Sequence, residues 1–343
     1  MLTVKLGNTG IVANKNGFGA LPIQRISEKE AIELIRMALD GGVNFFDTAR
    51  AYSDSEMKLG KALTGVDRER YYIATKTAAK TGDKVLEDLD TSLKLLKTDY
   101  IDIYQLHCAP KCFRPGEEDG VYDAVLKAKE QGKIRHISIT AHLLNVAEEA
   151  VESGLYDTLQ YPFAYISSEK EIALVKKCAK AGMGFLGMKG LAGGLLTNAR
   201  LCYWFAAQYE NVLPLWGVQK ASELEEFLSF QENPPVMDEE MKAVYERDLK
   251  ELSGEFCRGC GYCMPCPKGI KINNCARTSQ LLRRSPSATW LSDEWQTEMA
   301  KIKECLHCGQ CASKCPYGLD TPALLEKNLE DYENVIAGRV SVG

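Results

Sequence analysis

Asn44-Phe45-Phe46-Asp47-Thr48-Ala49-Arg50-Ala51-Tyr52 is the stretch whose reading decides the fold. A short apolar run ends in an acid, and a tyrosine follows one turn later. Such a run reads as a buried strand that delivers a carboxylate to its C-terminal end, the end at which barrels of alternating strands and helices build their active sites. The next strands stop in the same way. Tyr71-Tyr72-Ile73-Ala74-Thr75 ends at Lys76, and Ile101-Asp102-Ile103-Tyr104-Gln105-Leu106 ends at His107. Three successive strands therefore place one ionisable group each at a common face.

Working outward, the alternation is regular. Residues 4–6 and 11–12 flank a Gly-Asn-Thr-Gly turn and predict a hairpin. Residues 16–21 predict the first barrel strand, with Gly19 allowing close backbone approach at its end. Ser27 and Glu30 form a capping-box pair ahead of a helix that Gly41-Gly42 stops. Helices are expected at 55–63, 84–96, 122–131, 145–153, 169–181, 201–209 and 222–230, and strands at 134–139, 158–161, 184–188 and 212–216. By residue 232 this makes eight strand–helix pairs, which suits a closed parallel (β/α)8 TIM barrel. Gly182-Met183-Gly184-Phe185-Leu186-Gly187 matches G-x-G-x-x-G but has a helix before it and a strand after it, the reverse of a dinucleotide fingerprint.

The 343 residues exceed a barrel of roughly 250 and leave room for an appendage. Asn233-Pro234-Pro235 marks the break, so residues 1–232 are read as the barrel and 233–343 as a small α-helical domain. With 45% hydrophobic and 26% charged residues the composition is that of a globular protein, and a net charge of -5 argues against nucleic acid as partner. No apolar run approaches the roughly 20 residues of a membrane span, and the N-terminus reads as a strand rather than a leader. A cytoplasmic location is the expectation.

Of 13 cysteines, nine lie beyond residue 256. Cys305-x-x-Cys308-x-x-Cys311-x-x-x-Cys315-Pro316 reproduces the ferredoxin run for a 4Fe–4S cluster, and Cys257-x-x-Cys260-x-x-Cys263-x-x-Cys266-Pro267 is the same run shortened by one residue. Three closely spaced thiolates serve three corners of one cube while the cysteine before proline serves the other. The expected sets are Cys257, Cys260, Cys263 and Cys315 for one cluster, and Cys305, Cys308, Cys311 and Cys266 for the second, with Cys275 spare. Structural zinc also uses C-x-x-C pairs, but two triplets each followed by Cys-Pro are poor zinc spacing.

Asp47, Tyr52, Lys76 and His107 together describe a proton-donating site: an ammonium held by a carboxylate beside a phenol is expected to favour phenolate, and the imidazole orients a carbonyl oxygen. Singly, each has an ordinary reading as cap, packing residue or surface charge; the shared strand-end placement is what joins them.

From residue 1 to about 232 the sequence resembles the aldo-keto reductase family. Phe46-Asp47-Thr48-Ala49-Arg50-Ala51-Tyr52 with Ser55-Glu56 and Leu59-Gly60 is similar to its D-T-A-x-x-Y-x-x-x-E-x-x-L-G signature, and Thr75-Lys76 and Asp102 to His107 to its lysine and histidine motifs. The resemblance implies NAD or NADP at the strand C-termini, with Tyr52 as general acid and Asp47, Lys76 and His107 as its partners. It also implies cofactor contacts from Gly19, Thr140, Gln160, the Lys189-Gly190-Leu191-Ala192-Gly193-Gly194 loop, Gly217, Gln219 and Lys220. Thr140-Ala141 replaces the family's Ser-Asn pair, and Phe227 an adenine-binding Asn. Glu223 stands where an arginine often pairs with the 2′-phosphate, which tilts the reading toward NAD, while Lys220 keeps NADP open. The cysteine-rich part resembles the ferredoxin-type tail on a subset of these proteins. Three function classes follow: a nicotinamide-dependent carbonyl/alcohol oxidoreductase with structural, sensing or electron-carrying clusters; an electron-transfer enzyme coupled to flavin or an external ferredoxin; and a non-catalytic regulatory barrel, which the four intact groups disfavour.

Overall fold

The computed structural model describes residues 2–252 and 256–342; Met1, where the N-terminal strand reading begins, lies outside them, as do 253–255 and 343. The chain divides into two compact units, Met1–Gly190 with Ala199–Met237, and Leu191–Asn198 with Asp238–Gly343.

The first unit opens with a hairpin of β1 (Thr3–Lys5) and β2 (Val12–Asn14), paired antiparallel with Val4 opposite Ala13. The barrel strands follow: β3 (Gly17–Gly19), β4 (Phe45–Asp47), β5 (Tyr72–Thr77), β6 (Ile101–Leu106), β7 (Ile134–Thr140), β8 (Thr158–Pro162), β9 (Gly184–Met188) and β10 (Val212–Gly217). All pair in parallel, and β10 closes on β3. Between them run α1 (Glu28–Asp40), α2 (Ser55–Leu63), α3 (Gly82–Leu96), α4 (Val121–Glu130), α5 (Leu144–Ser153), α6 (Glu169–Lys180), α7 (Ala199–Ala207) and α8 (Ala221–Glu232). The predicted TIM barrel is the observed one, with element ends shifted by a few residues. The capping box at Ser27 is present, and a second forms at Ser168 with Glu171.

The strands bury both faces, the outer against helices and the inner against each other, which is why they read as apolar runs rather than alternating ones. At one end, hairpin residues Val4, Leu6, Ile11 and Ala13 form one apolar cluster with Phe45, Ala74, Ile103, Leu186 and Leu213. These strand residues come from the starts and middles of their strands, so the hairpin stoppers the end away from Asp47. The register Gly19–Asp47 and Asp47–Ala74, then Lys76–Gln105 and Thr140–Gln160, aligns the strand ends at the opposite mouth.

The second unit is helical; among its described residues there is no strand. It comprises α9 (Glu239–Leu252), α10 (Ile272–Cys275), α11 (Thr278–Arg284), α12 (Ser287–Trp290), α13 (Asp293–Ala300), α14 (Gln310–Ser313) and α15 (Thr321–Ile336). Its core holds Ile270, Ile272, Cys275, Leu282, Met299 and Ile302 against a stripe of α15 that includes Leu325, Tyr332 and Val335, the spacing of one helix face. Asn328 on the same face accepts from Ser279 N at 2.9 Å and donates to Ala276 O at 3.1 Å, tying α15 to α11. The composition break at 233 precedes the division at Met237/Asp238, and residues 191–198, read as barrel loop, group with the helical unit. Composition cannot show a loop leaving one unit for another.

Candidate active site and cysteine centres

Asp47 is the last residue of β4, and Lys76 stands in β5 one residue before its end, rather than after it. Their side chains meet at 2.6 Å (Nζ–Oδ2), with 1% and 5% exposure. Lys76 Nζ also donates to Thr48 O at 2.6 Å. Gln105 Nε2 donates to Asp47 Oδ1 at 2.8 Å and Gln160 Nε2 to Oδ2 at 3.3 Å, so the carboxylate is held from three strands. Gln105 went unpredicted. Its signal is position: it lies two residues before His107, at the end of β6 that His107 directly follows. Behind it a buried polar chain runs from Gln105 to Ser138 Oγ (3.3 Å) and on to Thr158 Oγ1 (2.7 Å).

Tyr52 lies on the loop between β4 and α2. Lys76 Nζ stands 5.2 Å from its ring centroid, and the ring meets His107 edge-on at 5.8 Å and 81°. The loop is anchored by the signature Glu56, which is 1% exposed, pairs with Arg50 and accepts from Thr75 Oγ1 at 2.7 Å. Ser55 Oγ bridges Thr48 Oγ1 and Ala20 O, each at 2.9 Å. The structure therefore brings all four predicted groups to one mouth of the barrel.

Their electrostatics differ from the sequence expectation in one respect. Burial, then the Asp47 carboxylate and Cys108, push the Tyr52 phenol well above its ordinary value. The Lys76 ammonium is paired at contact with Asp47, and at the phenol burial and the carboxylate prevail. Burial lowers Lys76 against the opposing pull of Asp47. His107 is lowered to about 3 by burial and then by Lys76, so its imidazole is neutral. His142, two residues past the end of β7, is also buried; burial, Lys189 and His107 hold it well below the usual histidine range. It too went unpredicted, although only four histidines occur in the chain and this one follows a strand end.

Among the expected cofactor residues, Gln160 is 2% exposed and its Oε1 has no hydrogen-bond partner among the described residues. Thr140 ends β7; its Oγ1 accepts the Cys108 amide at 2.7 Å and its carbonyl the Ala109 amide at 2.8 Å, holding the turn after His107. Gly19 and Gly217 are opposite each other where β3 meets β10. A Cβ on Gly19 would stand 3.2 Å from Trp216 O, so the close approach it allows is first to β10. Lys189, at φ 58°, and Gly190 follow β9; Leu191 and Gly193 belong to the second unit. Lys220 is exposed and Gln219 half-buried ahead of α8.

Glu223 and Phe227 lie in the first and middle turns of α8. Glu223 Oε2 accepts the amides of Gln219 at 2.9 Å and Lys220 at 3.2 Å, so the oxygen expected to meet a ribose hydroxyl caps α8. Phe227 is 3% exposed and stacks on Trp216 at 4.5 Å and 17°, within the packing of α8 on β10. A carboxylate three residues into a helix satisfies orphan amides whatever else lies near.

In the second unit the thiols ring two hollows. One, of about 340 Å³, is lined by Cys257, Cys260, Cys263 and Cys315; the other, of about 410 Å³, by Cys266, Cys305, Cys308 and Cys311, with Cys263 in the wall of both. Cys315 thus stands with the first triplet and Cys266 with the second, the crossed grouping expected from the sequence. Among the described residues no three Cys, His, Asp or Glu side chains converge on a point where one ion would sit. Cys275 lines neither hollow; it is fully buried among apolar residues, and burial pushes its thiol up to about 12.

Residues 15–203 match the model described as the aldo/keto reductase family, more than half the chain. The chain belongs to the aldo/keto reductase family. Residues 256–320 of this aldo/keto reductase match a 4Fe-4S dicluster domain. An L-galactose dehydrogenase of Arabidopsis thaliana is 34% identical over 227 residues, 60% of this chain and 70% of that protein. The aldo-keto reductase YhdN of Bacillus subtilis is 31% identical over 211 residues, 56% of this chain and 63% of that protein. In fold, the aldo-keto reductase AKR11C1 of Bacillus halodurans in its holo form has a TM-score of 0.63 at 21% identity, covering 72% of this chain and 96% of that one. An aldo-keto reductase of Klebsiella pneumoniae in complex with NADPH has a TM-score of 0.61 at 20% identity, covering 72% and 94%. The protein is an oxidoreductase of the aldo-keto reductase type, and among its described residues no helix is long and apolar enough to cross a membrane.

Proposed function

We propose that this aldo/keto reductase interconverts a carbonyl and an alcohol by hydride transfer with NAD or NADP, with Tyr52 as general acid and base. The observation that carries the reading is the buried Asp47–Lys76 pair, set beneath a phenol and beside a neutral imidazole at one barrel mouth. The nicotinamide nucleotide, when bound, supplies or accepts the hydride. Gln160, with an unpartnered buried Oε1, and Thr140 at the neighbouring strand end are the residues that would hold its carboxamide end; Gly19, Lys189, Gly190, Gly217, Gln219 and Lys220 lie at the same strand C-termini.

The chain's own part is proton transfer and positioning. Burial and Asp47 favour the protonated phenol of Tyr52, which donates to an oxygen that has become strongly basic, as a carbonyl oxygen does while its carbon accepts hydride. The phenolate left behind is stabilised by the Lys76 ammonium, which is held by Asp47, itself fixed by Gln105 and Gln160. Neutral His107 offers a hydrogen bond to the substrate oxygen without competing for its proton. In the reverse direction the phenolate takes the alcohol proton. The two cysteine-lined hollows would hold two 4Fe–4S clusters, on Cys257, Cys260, Cys263 and Cys315 and on Cys266, Cys305, Cys308 and Cys311.

The test is a titration of anaerobically purified protein with NADH and NADPH, followed by carbonyl reduction. Binding of neither nucleotide sinks the reading. The exposed Cys308 favours a second reading, in which the clusters pass electrons to an external carrier such as a ferredoxin. Under that reading Cys308→Ala, still folded, abolishes turnover with a natural electron partner; unchanged turnover refutes it.

A further inference from the structure

Arg277, between α10 and α11, carries a charge that the chemistry so far leaves without use. Its Nε and Nη1 are shielded from solvent and have no hydrogen-bond partner among the described residues. A shielded cation without a counter-charge is costly, and proteins keep such groups where a negative charge faces them.

Two loops lie against this guanidinium, both in the helical unit. A Cβ on Gly259 would stand 2.9 Å from Arg277 Cζ and 3.0 Å from Nη1, and a Cβ on Gly193 would stand 2.9 Å from Nη1. Gly259 is in the middle of Cys257-Arg258-Gly259-Cys260, adopts φ 64°, and donates its N–H to Cys257 Sγ at 3.4 Å. The glycine lets the loop fold over the guanidinium while its amide supports the ligand sulfur.

The other hollow differs. Its lining cation is Lys268, which is 41% exposed and faces Glu304 at 3.9 Å, so solvent and a carboxylate both screen it; the first hollow is lined by Arg258, whose guanidinium lies over the Phe256 and Tyr317 rings, while Arg277 lies against the Cys257–Cys260 loop.

We propose that Arg277 is the fixed counter-charge of the cluster on Cys257, Cys260, Cys263 and Cys315, and raises the reduction potential of that cluster selectively. This rests on the ligand grouping proposed above. One-electron reduction adds a negative charge to an already anionic cube with its four thiolates. A shielded cation beside one ligand sulfur stabilises the reduced form more than the oxidised one, and net charge, hydrogen bonds to sulfur and solvent exposure are the protein's means of setting such potentials. Arg277 is a positioning charge, not a ligand.

The experiment is an anaerobic redox titration of the full-length holoprotein with dithionite, followed by electron paramagnetic resonance, on wild type, Arg277→Lys and Arg277→Gln. Iron and sulfide are assayed on every sample. With full iron, Arg277→Gln is expected to move one of two midpoints to more negative potential by at least a tenfold change in the reduced-to-oxidised ratio, 59 mV for one electron. Arg277→Lys moves it less, and the second midpoint stays in place. Unmoved midpoints at full iron overturn the proposal. So does weaker binding of NADH or NADPH with unmoved midpoints, which would assign the guanidinium to an anion on the 191–194 loop. If Arg277→Gln loses iron, Arg277→Met, whose flexible side chain suits a shielded position, is read in the same way; loss of iron in both makes the residue structural and also overturns the idea. Wild type holding fewer than about eight irons per chain, two cubes of four, would instead count against the ligand grouping.

Discussion

At Tyr52, burial and the Asp47 carboxylate act in the same direction, and both keep the proton on the phenol. Proton donation therefore depends on the basicity that develops on the substrate oxygen, and removing the hydroxyl removes the donor without altering the pocket's shape. Tyr52→Phe should lower kcat for carbonyl reduction by about 10²–10⁴-fold while leaving nucleotide Kd nearly unchanged, as measured by steady-state rates and fluorescence titration. A parallel loss of nucleotide binding would place the phenol in the binding site instead.

His107 gives a pH prediction. Its folded value, about 3, lies below the ordinary 6.5, so between those values the unfolded chain binds a proton that the folded chain does not. Stability from this group is fully present above about pH 6.5 and is lost as pH falls toward 3. Urea midpoints at pH 7 and pH 5 should fall less in His107→Gln than in wild type. In the sequence Asp47, Tyr52, Lys76 and His107 were legible because each occupies a strand-end position in a repeating pattern. Gln105 and His142 were not, because an amide inside a strand and a histidine past one look like ordinary residues until register sets them beside Asp47 and His107.

Among the elements, the hairpin β1–β2 and helix α8 show what local sequence carries and what it does not. Leu6 is fully buried where the hairpin closes the barrel, and Leu6→Ala should cost about 2–5 kcal/mol in chemical unfolding without altering nucleotide affinity. The hairpin itself was readable from its Gly-Asn-Thr-Gly turn; that it stoppers a barrel was not, since turn chemistry carries no information on what the strands cover. Glu223 was readable as a carboxylate near the adenosine end, yet it spends an oxygen on the first amides of α8. Glu223→Ala should lower stability by about 1 kcal/mol and leave the ratio of NADH to NADPH affinity unaltered. A marked swing toward NADPH would restore the ribose reading.

Across the whole molecule, the crossed thiol grouping separates cysteines that sequence proximity would join. Cys315 follows the second triplet by four residues but lines the hollow of the first. Cys315→Ser should disturb the cluster on Cys257, Cys260 and Cys263 and spare the one on Cys305, Cys308 and Cys311. Cys275→Ser should keep full iron, because that thiol packs in the apolar core. Iron content with the magnetic resonance signature of each cluster checks both.

The sequence alone determined the barrel, the cysteine-rich helical part, the four groups at the barrel mouth and the cysteine motifs. These depend on period and spacing, which survive in one dimension: the eightfold alternation of strand and helix, the recurrence of strand-end chemistry and the C-x-x-C runs. Tertiary structure alone decided that burial and Asp47 keep the proton on Tyr52 with Lys76 close by, that Glu223 caps α8 and that Phe227 packs on Trp216. It also decided that residues 191–198 group with the helical unit, and that Arg277 lies against the loop holding Cys257. Each of these depends on distance and burial between residues far apart in the chain. Charge effects fall with separation and grow as water is excluded, and neither separation nor exclusion is written in the order of the residues.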